Sequence, residues 1–447
     1  MRDRKTKSTR QTQYTLKKIS DITTLGFALF AMFFGAGNLL LPPLIGLSSG
    51  SQWDSAILGF GLTGILLPFL GVLAVINSGE TFNDLGNRSH PYIATILGIM
   101  IMLGIGPLIA IPRTAATTFE VGLLPTFPNL SPIWGSVLFF AITFTLSIRP
   151  SKVVDVIGNF LTPVLLILLL GLILMGIWHP ISSDFATKIV KSEAFKIGFM
   201  EGYQTLDVLA SVIFTGIIIS AAKMKGYEKL KDKNKIVTSA GLLAAIFLFL
   251  IYGGLVLLGA TSGFPLTDEV KRAELLLYIS HQIFGRYGTT AISLSIALAC
   301  LTTAIALTCA VGTFFSKLSG GRVSYQWIVT ICCILSGVLA ITGVEYIIQV
   351  AYPFLAFIYP IVITLVLYVL VFGRILSTNL PFIGAMIGTT LVSTIYLLSS
   401  FDLHLQGAEH LVQAIPLAKY ELWWVLPSFA SFLLFLLFDY WRKRQAA

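Results

Sequence analysis

Eleven stretches of this chain run without a single Asp, Glu, Lys or Arg: residues 22–53, 55–79, 89–112, 121–148, 156–183, 236–267, 287–316, 323–344, 346–373, 375–401 and 422–438. A twelfth, 197–222, is interrupted only by Glu201 near its start and by Asp207. A helix crosses a bilayer with about 20 apolar residues, in a range of roughly 17–25, and all twelve stretches reach it. Hydrocarbon offers backbone amides no partner, so a spanning segment must be a helix or belong to a closed barrel. Barrel strands are about 10 residues of alternating polarity, whereas these runs are longer and apolar on every face. The expected fold is an all-α membrane protein with twelve transmembrane helices. They are placed near 22–47, 55–77, 91–113, 132–148, 154–177, 197–222, 236–260, 288–316, 326–342, 345–371, 379–399 and 422–440.

The remaining charges fix the orientation. With an even number of spans both termini share one side, and that side collects 22 of the Lys and Arg residues against seven on the other. Basic residues accumulate on the cytoplasmic side, so both termini are expected in the cytoplasm of a multi-pass cell-membrane protein. The net charge of +9 follows from this asymmetry, and nucleic-acid binding is not needed to explain it. Residues 1–20 are basic and polar, and no cleavable signal is expected ahead of the first span. Cys300, Cys309, Cys332 and Cys333 all fall within spans without C-x-x-C spacing, and read as small packing residues rather than disulfide or zinc positions. The five histidines, His90, His179, His281, His404 and His410, fall in expected loops. No nucleophile–base set, carboxylate pair or phosphate loop occurs at membrane depth, so an intramembrane enzyme has no constellation to work with.

Two spans differ from the rest. The first reads FALFAMFFGAGNLLLPPLIG, with Gly35, Ala36, Gly37 and Asn38 at mid-depth and Pro42 and Pro43 beyond. The sixth holds Gly202, Gln204, Thr205, Asp207 and Ser211. Glycines alone equally describe close helix packing; the polar Asn38 and the proline pair turn the reading toward a broken helix. Such a break frees amides that attract an anion and carbonyls that can hold a cation. The two interrupted spans are five helices apart, the pattern of two inverted five-helix repeats with their binding site at the breaks. The repeats would be 22–177 and 197–371, followed by helices eleven and twelve in 379–440, with basic cytoplasmic segments at 1–21 and 441–447. The longer loops 178–196, 263–287 and 400–421 face outside, either over an entrance or as plain surface.

Asp207 carries a cost of about 2.5–3.5 kcal/mol at mid-membrane. It reads either as a fixed interhelical hydrogen bond or as a negative group for a substrate ammonium or coupling ion. Arg113 is placed at the end of the third span, with Glu120 about 10.5 Å further up the same face; Arg113 and Glu120 are candidates for a gate, and Arg113 alternatively snorkels to the interface. In ALACLTTAIALT, Ala299 precedes Thr302 and Thr303 by three and four residues, which gathers a carbonyl and two hydroxyls on one patch. In isolation the threonines equally bond back to their own helix.

The stretches LFAMFFGAGNLLLPPLIG, GPLIAIPRTAATTFEVG at 106–122 and GYQTLDVLAS at 202–211 resemble the first-, third- and sixth-helix motifs of the branched-chain amino acid:cation symporters. That family is similar to the larger group with the five-plus-five inverted-repeat fold of the sodium-coupled leucine transporter. The resemblance implies a sodium ion between helix eight and the break of helix one, held by Ala299, Thr302 and Thr303 with carbonyls of Ala31 and Phe34. It implies a leucine, isoleucine or valine substrate whose carboxylate meets Gly37, Asn38 and Leu39, beside Gly35 and Ala36. The ammonium would meet the helix-six break near Asp207, with Ser211 and Phe214 around the rest. The tyrosine that the leucine-transporter fold uses on the third helix is missing from 106–122. The expected activity is sodium-coupled uptake by alternating access, with no cofactor besides the coupling ion and with the amino acid and the lipid bilayer as partners. The alternatives are a proton-coupled carrier with Asp207 as relay, a channel, or a sensor that binds without transport.

Overall fold

A computed structural model describes residues 2–125, 127–182, 184–185, 188–265, 270–399, 412 and 414–446. The described residues form helices and connecting turns, with no strand among them. All twelve apolar segments fall on helices. Nine helical stretches among the described residues are long and apolar enough to cross a membrane, and Pro132–Ser147 and Tyr325–Ala340 are shorter apolar helices. The helix Arg286–Leu318 runs through the middle, with Ile296, Ala299, Cys300, Thr302 and Ala304 buried along it. All four cysteines are buried and free.

Both marked spans are broken. The helix Arg2–Phe33 ends and Ala36–Ser49 begins across an extended Gly35 at φ −91°, ψ −175°. The Phe34 amide still donates to Phe30 at 2.8 Å, but the Gly35 amide turns back to Phe33 at 2.9 Å, and the next regular bond is from Leu39 to Gly35 at 3.2 Å. Carbonyls just before the gap and amides just after it thereby lose their helical partners. The sixth span divides into Lys191–Gln204 and Asp207–Met224 at Leu206, which is left-handed at φ 59°, ψ 21°. A non-glycine residue rarely adopts that conformation.

The third span departs from the sequence expectation. Its helix starts at Pro91, loosens into π-turns around a non-helical Gly106 at φ −90°, ψ −126°, restarts at Ala110 and continues to Leu123. The expected end at 113 is therefore ten residues short, and Arg113 stands inside the span. A single charge ended the apolar run in the sequence without ending the helix. The 263–287 loop also contains a helix, Arg272–Phe284, whose Leu275, Leu276 and Ile279 are buried. Of the 400–421 loop, residues 400–411 and 413 lie outside the described residues.

Small residues bring backbones together. A Cβ on Gly46 would run into the Val256 carbonyl, and one on Gly259 into the Pro43 carbonyl. The second half of the first span thus lies backbone-to-backbone on Leu230–Ala260. At the end that carries the N-terminus, ion pairs tie separate spans. Lys225 lies 2.9 Å from Asp155 and 3.6 Å from Asp21. Glu80 takes Lys223 at 2.6 Å and Lys233 at 2.8 Å, and the hydrogen bonds from Lys223 first and Lys233 second hold its carboxyl below the ordinary value of 4.5.

Gly259→Leu is expected to lose at least about 1–3 kcal/mol to overpacking, read as a lower melting temperature in detergent, whereas Gly171→Leu, with nothing within 4 Å of its Cβ, leaves it unchanged. Because the folded Glu80 carboxyl is the stronger acid, its contribution is present above pH 4.5 and fades as pH falls through its depressed folded value. Glu80→Gln should lower the melting temperature at pH 7, and the gap to the unaltered chain should close on acidification below pH 4.5.

Candidate functional site

The two breaks face each other, and one side chain joins them. The Asn38 amide nitrogen lies 2.6 Å from Asp207 Oδ2, 2.9 Å from the Phe33 carbonyl and 2.9 Å from the Tyr252 hydroxyl. It therefore caps the end of one half-helix while holding the first residue of another. Asp207 opens the helix Asp207–Met224, where the positive end of the peptide dipoles favours a negative charge. Both side chains are nearly sealed, Asn38 at 5% exposure and Asp207 at 8%. Tyr252 is buried between the Phe34 ring at 5.6 Å and the Phe60 ring at 5.0 Å.

A cavity of about 250 Å³ lies against this junction. Gly35, Gly37 and Asn38 form one wall, and Thr205, Leu206 and Asp207 another. Ile105, Ile109, Leu307 and Leu355 supply apolar surface, and Arg113 enters from the restarted third span. The cavity reaches toward Glu201 and Arg272, which lie 3.8 Å apart. It thus combines an apolar interior with two cations, Arg113 and Arg272, and two anions, Asp207 and Glu201, and with broken helix ends between them. A groove of about 410 Å³ between Pro132–Ser147 and Tyr325–Ala340 is lined almost wholly by apolar side chains and converges on no polar cluster.

Beside the cavity, oxygens gather between the first break and Arg286–Leu318. The Thr302 hydroxyl lies 3.1 Å from the Ala31 carbonyl and 3.0 Å from that of Ala299. The Thr303 hydroxyl lies 3.4 Å from the carbonyls of both Ala31 and Met32. Five uncharged oxygens from two helices form a set suited to a hard cation. Among the described residues, no group of three or more His, Cys, Asp or Glu could hold a metal.

The sequence reading and this geometry agree in part. Gly35, Gly37, Asn38 and Asp207 line the cavity, and Ala31, Ala299, Thr302 and Thr303 meet as expected. The Met32 carbonyl also meets Thr303, and the Phe34 ring stacks on Phe30 and Tyr252. Ser211 does not reach the cavity: its hydroxyl bonds the Val208 carbonyl at 2.8 Å and presses on Gly71. Phe214 is sealed in the core against Phe33, and the Leu39 amide, expected at the carboxylate, donates to the Gly35 carbonyl at 3.2 Å. Ala36 is the first residue of its helix. Among the described residues neither Arg113 nor Glu120 forms an ion pair. Glu120 accepts from the Val344 amide at 3.0 Å and caps Val344–Phe372, while Arg113 turns inward to Gly37, where a Cβ would stand 2.9 Å from its Nη2. Tyr252 was missed, although a hydroxyl in the middle of the 236–267 run requires a partner.

A family described as branched-chain amino acid transport protein matches residues 18–442. The branched-chain amino acid permease BraB of Bacillus subtilis (strain 168) is 36% identical over 416 residues, covering 92% of this chain and 93% of the permease. The branched-chain amino acid permease BrnQ of the same strain is 34% identical over 424 residues, covering 93% of this chain and 96% of that one. Among solved structures, Mhp1, a nucleobase-cation-symport-1 family transporter, is similar at a TM-score of 0.59 and 16% identity, over 95% of this chain and 93% of its own. At that identity the likeness concerns the fold alone, which is of the leucine-transporter type.

Asn38→Ala removes this donor from the Asp207 carboxylate and leaves the Phe33 carbonyl with the Gly35 amide alone, and should cost about 1–3 kcal/mol in detergent melting. Asn38→Asp should be worse, because two carboxylates would then meet at hydrogen-bond distance.

Proposed function

The chain belongs to the family of branched-chain amino acid transport proteins, and from that membership we propose that it is a secondary transporter bringing leucine, isoleucine and valine into the cell together with sodium. The observation that carries this reading is the meeting of two broken helices over one cavity, tied by Asn38 and Asp207. A zwitterion with an apolar side chain is the solute that suits it. The ammonium would lie toward Asp207 and the Leu206 break, the carboxylate toward the amides opening Ala36–Ser49, and the side chain against Ile105, Ile109 and Leu355. The sodium ion would take the oxygens of Ala31, Met32, Ala299, Thr302 and Thr303. We place twelve spans in the cell membrane with both termini in the cytoplasm, built as two inverted five-helix repeats plus two helices, and alternating access by one bundle rocking against the other.

The driving force suffices for such work. One positive charge moving through 100 mV supplies about 2.3 kcal/mol, and a tenfold ion gradient adds roughly 1.4 kcal/mol. Together they support accumulation of order several hundredfold. A second reading, proton coupling with Asp207 as the relay, is favoured by the position of that carboxylate at the junction, within 2.6 Å of Asn38.

Leucine uptake into proteoliposomes separates the two. Under sodium coupling, replacing sodium by choline abolishes accumulation, and Thr302→Ala raises the sodium concentration needed for half-maximal uptake by roughly tenfold. Uptake that survives in choline and follows an imposed pH gradient would assign the coupling to protons.

A further inference from the structure

Arg113 is a cation in a place where cations are costly. Its helix has been kinked at Gly106 and restarted at Ala110, which carries the side chain into the cavity. The side chain is half-buried and open to the cavity, and in such a partly dry place an ionised group gains from an opposite charge or a set of acceptors. Among the described residues no carboxylate lies within 4.0 Å of the Arg113 nitrogens. The other arginine on the cavity, Arg272, already has Glu201 at 3.8 Å. Asp207 lines the same cavity but is engaged by Asn38 at 2.6 Å. Arg113 thus presents a guanidinium to the cavity with its acceptor still to come.

The position of the guanidinium says what that acceptor is. One of its terminal nitrogens lies where a Cβ on Gly37 would be 2.9 Å away, so it stands beside the first turn of the helix Ala36–Ser49. The first amides of a helix lack partners and favour an anion. A guanidinium and the first peptide N–H groups of a helix thus line the same part of one cavity. A planar guanidinium matches a carboxylate with two parallel hydrogen bonds. Across the cavity Asp207 offers the complementary negative charge.

We propose that Arg113 is the residue that binds the substrate's carboxylate, taking it between its guanidinium and the Gly37 amide, and that it thereby makes a free α-carboxylate obligatory. The inference rests on the amino acid reading above. It also gives Gly37 a specific reason to be glycine: a Cβ there would stand 2.9 Å from Arg113 Nη2, and the guanidinium would have to shift. A lysine would supply charge without the paired geometry, so Arg113→Lys keeps only part of the recognition.

The test compares leucine with leucinamide and isopentylamine, which keep the apolar chain and the amine but lack the carboxylate. Binding is read as the rise in melting temperature of the purified full chain in detergent with sodium present. The native protein is expected to respond to leucine and not to the two amines. In Arg113→Gln the affinity for leucine should fall roughly 10- to 100-fold, and the preference for leucine over leucinamide should collapse with it. A purely structural arginine would lower stability while leaving that preference unchanged, which would overturn the proposal. Equal responses of the native protein to leucine and leucinamide would overturn it as well, and this arm does not depend on any variant folding. If the native protein answers to neither leucine nor any other branched-chain amino acid, the amino acid reading itself fails, which is a different result from a native leucine response that Arg113→Gln preserves intact.

Discussion

A peptide group bared inside a membrane costs several kcal/mol, and the amide of Asn38 is what makes two such gaps tolerable at once. It gives the Phe33 carbonyl a second donor beside the Gly35 amide at the first break and fixes Asp207 at the second. Neither half-helix could hold its end in place alone: the gap in one span is stabilised by a residue belonging to the other. The cavity lies against this one contact, with Asn38 on one wall and Asp207 on the other.

Close approach of backbones supplies the remaining precision. Where Gly46 and Gly259 let Ala36–Ser49 lie on Leu230–Ala260, Tyr252 on the latter helix is brought to Asn38. Apolar side chains gain little by meeting one another in lipid, so such contacts depend on shape and small residues more than on hydrophobicity. The loosened third span works by the opposite means. Its π-turns and the non-helical Gly106 shift the phase of the helix, and the phase decides which residue of the following turn looks inward.

The spans were legible because the solvent dictates them: a run without charge, some 20 residues long, has one fold available in hydrocarbon. The breaks were legible for the same reason, since Asn38 and Asp207 are expensive where they stand. What the sequence could not supply was phase. Ser211 lies one turn beyond Asp207, yet it faces Gly71 rather than the cavity. Phe34 and Met32 are two residues apart, and only the exact place of the unwinding decides which carbonyl meets Thr303. Arg113 was set at a helix end because a charge closed an apolar run, whereas the helix continued ten residues further, to Leu123. Tyr252 carried no pattern at all beyond its hydroxyl.

Leu206 stands left-handed at φ 59° between the two halves of its span. An L-residue pays roughly 1–2 kcal/mol for that handedness, and a leucine has no special means of avoiding it. The turn is thus a loaded joint rather than a slack one. A hinge made of glycine would drift through many angles, but one wound against its own chirality has few resting positions, and passes between them abruptly. Such a joint gives the two ends of the span a discrete rather than a graded relation.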